Sequence, residues 1–255
     1  MNKIKPLKIV AGLSALVLIF GILFVTNAFV GNPISKAFAN KSIKKYVEQN
    51  YSFLDLEVEK PVYNFKFSSY MARAKSKTSI DTKFSIYYKK GKVQRDDYDS
   101  YVLGMFNTIQ RLSDEYSALA KSLIAKELGF EKNTTMVMYD KGEYEKGNKK
   151  LKLDMKFDRN LPMDAEVILR VDLKDNSIES IEKVLRDAHK VFLDNGCKFT
   201  KYGLYTEEND GMHVMVNDVT PAHIESGEFE SLLKKAKNGE DADGIRVFIK
   251  GEEKK

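Results

Sequence analysis

Apolar and polar positions alternate in different ways along this chain, and each change marks a new element. From Ile9 to Val30 the run IVAGLSALVLIFGILFVTNAFV holds no charged residue. A helix rising about 1.5 Å per residue over that run spans the roughly 30 Å of a bilayer's hydrocarbon core. Asn32-Pro33 then offers an N-cap and a residue pre-set for the first helical position, so a second helix is expected there. Its apolar face is read as Ile34, Phe38, Ile43, Tyr46, Val47 and Tyr51, with Lys36, Lys41, Lys44 and Lys45 mainly off it. Those lysines form a solvated face or a contact with anionic headgroups.

Residues 54 to 94 switch to period two: Leu54, Leu56 and Val58; after Pro61, on the other parity, Tyr63, Phe65 and Phe67; then Tyr70, Ala72 and Ala74; then Thr82, Phe84, Ile86 and Tyr88. Three or four antiparallel strands are predicted, with turns at Ser68-Ser69 and Lys90-Gly91 and an edge break or bulge at Pro61. A long helix is expected from about 97 to 128, stopped by Gly129. Val102, Met105, Ile109, Leu112, Tyr116, Leu119 and Leu123 give it a heptad stripe, which suits a core-facing helix on the preceding sheet or a helical partner. Of these, packing on the N-terminal sheet is the expectation.

Residues 134 to 158 read as a hairpin with Met136 and Met138 on one arm, and Leu151, Leu153, Met155 and Phe157 on the other. Beyond it come a strand over 165–173, a helix over 177–194, strands over 198–206 and 212–219, a helix over 226–238 and a strand over 245–249. Asn176 with Glu179 resembles a capping box, and Gly196 ends the first helix. The βαββαβ order suggests a ferredoxin-like domain in which 165–173 and 245–249 lie side by side at the centre. The fold class is therefore α+β. The predicted parts are a cytoplasmic tail 1–8, a transmembrane helix 9–31, a domain of helix, antiparallel sheet and long helix over 32–130, a hairpin or connector over 131–160, and the ferredoxin-like domain over 161–255.

Lys3, Lys5 and Lys8 precede the apolar run with no acid among them. That favours a cytoplasmic N-terminus, although Lys36, Lys41, Lys44 and Lys45 follow on the other side. A signal anchor exporting residues 32–255 is the reading. Ala37-Phe38-Ala39 has the form of a signal-peptidase site, but it lies beyond Pro33 and Lys36, and the apolar run exceeds a normal signal core. Cleavage after Ala39 stays open as the alternative. No cysteine lies close behind the run to carry a lipid.

Apolar residues at 43% and charged residues at 31% describe an ordinary folded protein. The net charge of +5, from 42 basic against 37 acidic residues, is spread along the chain, so nucleic acid is not an expected partner. Cys197 is the sole cysteine, which excludes an intramolecular disulfide and a thiolate metal cluster.

The Ser-x-x-Lys spacings Ser42/Lys45, Ser180/Lys183 and Ser231/Lys234 lack the companion elements of penicillin-recognising enzymes, and chance accounts for them in a lysine-rich chain. Asp241-Ala242-Asp243-Gly244 fails as a calcium loop, because Gly239 and Lys250 fall where carboxylates are needed. His189, His213 and His223 form no close pair in sequence. No catalytic, cofactor-binding or metal residue is assigned, and no cofactor is expected.

The succession Gly31-Asn32-Pro33-Ile34-Ser35-Lys36, Lys44-Lys45-Tyr46, Tyr63-Asn64-Phe65-Lys66, Ser79-Ile80-Asp81-Thr82-Lys83-Phe84, Asp97-Tyr98, Tyr101-Val102, Asn107-Thr108, Arg111-Leu112 and Glu115-Tyr116 resembles the YfjL-like membrane-anchored proteins of low-GC Gram-positive bacteria. The likeness covers residues 9 to 127 well and the C-terminal half loosely. It implies a cell-surface protein with an anchor and an outward domain, and it brings no activity, substrate or catalytic residue with it. The expected role is a non-catalytic module binding a protein, peptide or envelope component. The alternatives are an envelope hydrolase whose site is assembled from distant residues, and an accessory subunit of a membrane complex.

Overall fold

A computed structural model describes residues 6–140, 142, 150–207 and 213–249, with side chains throughout that range except at positions 6, 7, 207 and 213. Helices and largely antiparallel sheets build two compact units, 1–103 and 104–255.

In the first unit, α1 (Pro6–Val30) is followed by α2 (Pro33–Asn50). Five strands form an antiparallel sheet: β1 (Leu56–Val58), β2 (Val62–Asn64), β3 (Ser69–Ser76), β4 (Lys83–Lys89) and β5 (Lys92–Asp96). β1 and β2 both pair with β3, as two short pieces broken around Pro61, while β4 and β5 follow on its other side. The alternation behaves as read: Tyr70, Ala72 and Ala74 are buried with Phe84, Ile86 and Tyr88 on the face that α2 covers. Lys90 and Gly91, both at positive φ, make the β4–β5 turn.

The face of α2 differs from the expectation. Ala39, Ile43 and Val47 are its buried residues, whereas Ile34 and Phe38 are exposed. At about 3.6 residues per turn, Ile34, Phe38, Lys41 and Lys45 form one stripe and Ala39, Ile43 and Val47 the opposite one. Only one stripe can meet the sheet, and the small side chain of Ala39 permits the closer approach.

The second unit begins where the long helix was expected to be continuous. A π-helical turn (Asp99–Leu103) ends the first unit, Met105 takes a left-handed conformation (φ 61°), and α3 runs only from Phe106 to Leu128. The stripe divides at that break. Val102 is buried in the first unit, while Ile109, Leu112, Tyr116 and Leu123 enter the core of the second. Packing on the N-terminal sheet is thus corrected.

Burial of that stripe carries most of the attachment, and two serines of α3 add to it. Ser117 Oγ accepts from the backbone N–H of Val137 (2.7 Å) and Ser113 Oγ from that of Tyr139 (3.5 Å). They occupy the outer edge of β6 (Met136–Tyr139), where a free ladder edge would otherwise stand open. Among the described residues β6 forms no local hairpin either, and the expected loop at 141 and 143–149 lies outside them. The strand pairs antiparallel with β7 (Ala165–Arg170), and the expected second arm is irregular chain with Leu151 buried.

α4 (Ile178–Asp194) leads from β7 to β8 (Lys201–Glu207), which turns back to β9 (His213–Val219); α5 (Pro221–Glu225) and α6 (Phe229–Lys237) precede β10 (Arg246–Ile249). The sheet order is β10-β9-β8-β7-β6, with β7 and β8 parallel. The ferredoxin-like order is overturned: β10 lies at the far edge, because β6 and β8 already occupy both edges of β7. The N-cap of α4 is Ser177, accepting from Ser180 N–H (3.2 Å), and Asn176 instead accepts from Thr206 Oγ1 (2.8 Å). Gly129 and Gly196 follow α3 and α4 at φ 78° and 70°, as expected of helix stops.

Leu112 is fully buried in this core. Leu112→Ala should destabilise the second unit by about 2–5 kcal/mol. Its unfolding midpoint should fall by the same amount at every protein concentration, measured by urea denaturation in detergent; a shift that vanishes at high concentration would instead place α3 in a dimer seam.

Candidate functional site

The junction between α1 and the first sheet is tightly constrained. Gly31 sits at φ 78°, and a Cβ there would lie 2.6 Å from Tyr63 Cγ and 2.9 Å from the Tyr70 hydroxyl. Only glycine satisfies both the left-handed backbone and the close approach. Next to it, the buried Tyr70 hydroxyl accepts from Asn32 N–H (2.8 Å) and donates to Asn32 C=O (2.9 Å). Asn32 Oδ1 in turn accepts from the N–H groups of Ile34 (2.8 Å) and Ser35 (3.2 Å), which starts α2. A recess of about 290 Å³ opens beside this clamp, lined among others by Asn27, Ser35, Phe38, Tyr88, Lys89 and Lys90. Its donors and cations suit an anionic group.

At the other end of α2, Asp96 Oδ2 accepts from Tyr46 (2.5 Å) and Tyr51 (2.8 Å), and its Oδ1 accepts from Tyr98 N–H (2.9 Å). Burial and then the hydrogen bond to Asp96 push the Tyr46 phenol up to about 12. The Tyr51 phenol rises for the same reasons.

In the second unit the histidines are engaged on both ring nitrogens wherever their side chains are described. His223 Nδ1 accepts from Thr220 N–H (3.1 Å), so Nε2 carries the hydrogen and donates to Asp243 (3.1 Å). His189 is buried between the Tyr202 hydroxyl (2.7 Å) and Glu225 (3.2 Å). Burial raises the Tyr202 phenol, which keeps it a donor. The His213 side chain lies outside the described residues. Asp243, in the Asp241–Gly244 loop, thus serves the His223 contact, and among the described residues no group of three or more histidine, cysteine or carboxylate side chains could hold a metal ion.

Lys183 pairs with Asp187, and Lys234 with Glu230 and Glu179, so these members of the Ser-x-x-Lys spacings are surface ion pairs. Ser180 donates to Asp175 (2.8 Å). Cys197 is buried, which pushes its thiol up.

The helices of this unit pack on one face of its sheet. Across the opposite face runs a row set by strand register, Arg170, Tyr205, Met215 and Phe248. Phe248 is 47% exposed and Met138, on the same face, 39%. Beside the row, Asp218 pairs with Lys201 (3.4 Å) and Arg246 (2.8 Å). Burial acts against the Asp218 carboxylate, but those two cations outweigh it and hold the group below its usual range. Glu166, opposite Lys201 in the ladder, is pushed up by burial and then by Asp218. Period-two parity could have marked this face, had the strand order been known.

Two outcomes follow. Tyr70→Phe leaves the Asn32 backbone groups without their partner and should cost about 1–3 kcal/mol in urea unfolding. The Tyr46 phenol, raised from 10.0 to about 12 in the fold, contributes stability that is complete below pH 10 and lost as pH rises through 10 to 12. The melting temperature of the first unit should therefore fall over that window, and Tyr46→Phe should flatten the fall.

The profile of the YfjL-like N-terminal domain matches residues 6–97, and that of the YfjL-like C-terminal domain matches residues 115–234. The uncharacterized protein YfjL of Bacillus subtilis (strain 168) is 35% identical over 71 residues, which is 28% of this chain and 31% of that protein. The matched stretch is thus under a third of the relative's length. No solved structure matches. With one profile falling on each folded unit, in N-to-C order, the chain belongs to the YfjL-like family.

Proposed function

We propose that this is a single-pass membrane protein whose two units face the outside of the cell, and that it acts as a non-catalytic module binding a protein, peptide or envelope component. The observation that carries the reading is α1. It is long and apolar enough to cross a bilayer, and none of its most apolar stretch is buried within the protein. A core helix of a soluble protein would be covered; here Leu13, Val17, Phe20 and Phe24 are all exposed. The lysines at 3, 5 and 8 support a cytoplasmic N-terminus.

The binding role draws support from the uncovered face of the second sheet, where Tyr205, Met215, Phe248 and Met138 lie beside Arg170, Lys201, Arg246 and Asp218. A coiled-coil accessory role finds less support, since Ile109, Leu112, Tyr116 and Leu123 of the heptad stripe are buried inside the second core.

Protease added to intact protoplasts should remove the C-terminal bulk and leave a short fragment holding α1. Full protection of that bulk, with cytoplasmic controls also intact, would overturn the orientation. A photoreactive residue at Met138 or Phe248 should crosslink in cells more strongly than one at exposed Lys190 on α4; equal yields would move the binding surface elsewhere.

A further inference from the structure

Outside α1, several of the most exposed large apolar side chains gather around the end of that helix. Ile34 is 68% exposed, Phe38 61%, Phe65 60% and Phe67 58%. They come from two elements, the first turns of α2 and the β2–β3 turn. A third element fixes their depth: Phe29, in the last turn of α1, meets Phe65 in a tilted ring contact with centroids 5.6 Å apart. Whatever surrounds the end of α1 therefore also surrounds Phe65.

The polarity of the patch is graded. Along the outward stripe of α2, Ile34 and Phe38 give way to Lys41 and Lys45, a passage of about 16 Å at the helical rise. Phe38 also lines the recess that holds Lys89 and Lys90. Lys66 lies over the Phe67 ring at 5.6 Å, its charge at the edge of the aromatic pair. Apolar rings beside the helix end with cations beyond them reproduce the interfacial order of a bilayer, where aromatic side chains sit at headgroup level and lysines meet anionic phosphates. A protein partner would have to share the depth at which α1 leaves the hydrocarbon, where lipid already stands.

We infer that the first unit is seated on the membrane rather than held away from it: Ile34, Phe38, Phe65 and Phe67 enter the headgroup region, and Lys41, Lys45, Lys89 and Lys90 face anionic phospholipid. This rests on the anchoring proposed above and adds that the unit itself binds lipid. The Tyr70–Asn32 clamp then sets the height of the whole unit, because Gly31 leaves no free linker between the anchor and the sheet.

The chain has no tryptophan, so single reporters read without background. Full-length protein carrying Phe67→Trp, or Phe65→Trp as a second reporter, is placed in nanodiscs of phosphatidylcholine with increasing phosphatidylglycerol. The lipids are brominated at shallow or at deep acyl carbons. Both reporters should lose most of their emission to shallow bromines, resist iodide from the water, and respond more strongly as phosphatidylglycerol rises. Phe20→Trp should be quenched by deep bromines at every composition. Replacing Lys41, Lys45, Lys89 and Lys90 with glutamine should abolish the phosphatidylglycerol dependence at position 67 and leave position 20 unchanged. Quenching at position 20 with full iodide access at 65 and 67 would overturn the seating and leave the anchor standing. Absence of quenching at position 20 would overturn both. Quenching at 67 that ignores phosphatidylglycerol would overturn the anionic preference.

Discussion

The first unit depends on one clamp. Tyr70 is fixed by β3 and holds both backbone polar groups of Asn32, while Gly31 passes so close to Tyr63 and Tyr70 that a side chain would not fit. Asn32 uses its own side chain to begin α2. One tyrosine thereby joins the apolar helix, the amphipathic helix and the sheet. Loss of that hydroxyl strands polar backbone groups at the place where α1 meets folded protein, and such groups are costly to leave without partners.

The second unit rests on a comparable device at a sheet edge. Ser113 and Ser117 sit mid-helix, where serine is only a modest helix former, yet they satisfy β6 backbone groups that would otherwise lie open. With β6 held, β7 has neighbours on both sides, and β10 takes the distant edge. The sheet is covered by helices on one face and leaves Met138 and Phe248 exposed on the other. The side chains that first suggest chemistry serve this architecture: His223 closes the start of α5 against the Asp243 loop, and His189 links α4 to β8 and α5.

In the proposed anchoring, membrane attachment and the exposed apolar residues of the first unit are parts of one arrangement. A soluble domain on a flexible tether gains nothing from bare phenylalanines at its root. A domain whose root is pressed to the bilayer does, since burial of rings in the headgroup region and lysine contact with phosphate both favour it. Under the proposed seating, the short passage through Gly31 and Asn32 would make that contact geometric rather than occasional.

Sequence periodicity by itself determined the elements: the apolar helix, the break at Asn32-Pro33, the alternating strands of the first sheet, the stops at Gly129 and Gly196, and the α+β class. Those are local features, read from neighbours a few residues apart. Tertiary structure decided which of two stripes on α2 faces the sheet: Ile34 and Phe38 are as apolar as Ile43 and Val47, but they share their stripe with the exposed Lys41 and Lys45, while Ala39, Ile43 and Val47 are buried. It decided that α3 belongs with β6, through hydroxyl contacts 20 and 26 residues apart in the chain that no period records. It decided the strand order too, since element order is the same whether the last strand returns to β7 or stops at the far edge. The choice fell to which edge of β7 was still open, and that is a property of the assembled sheet.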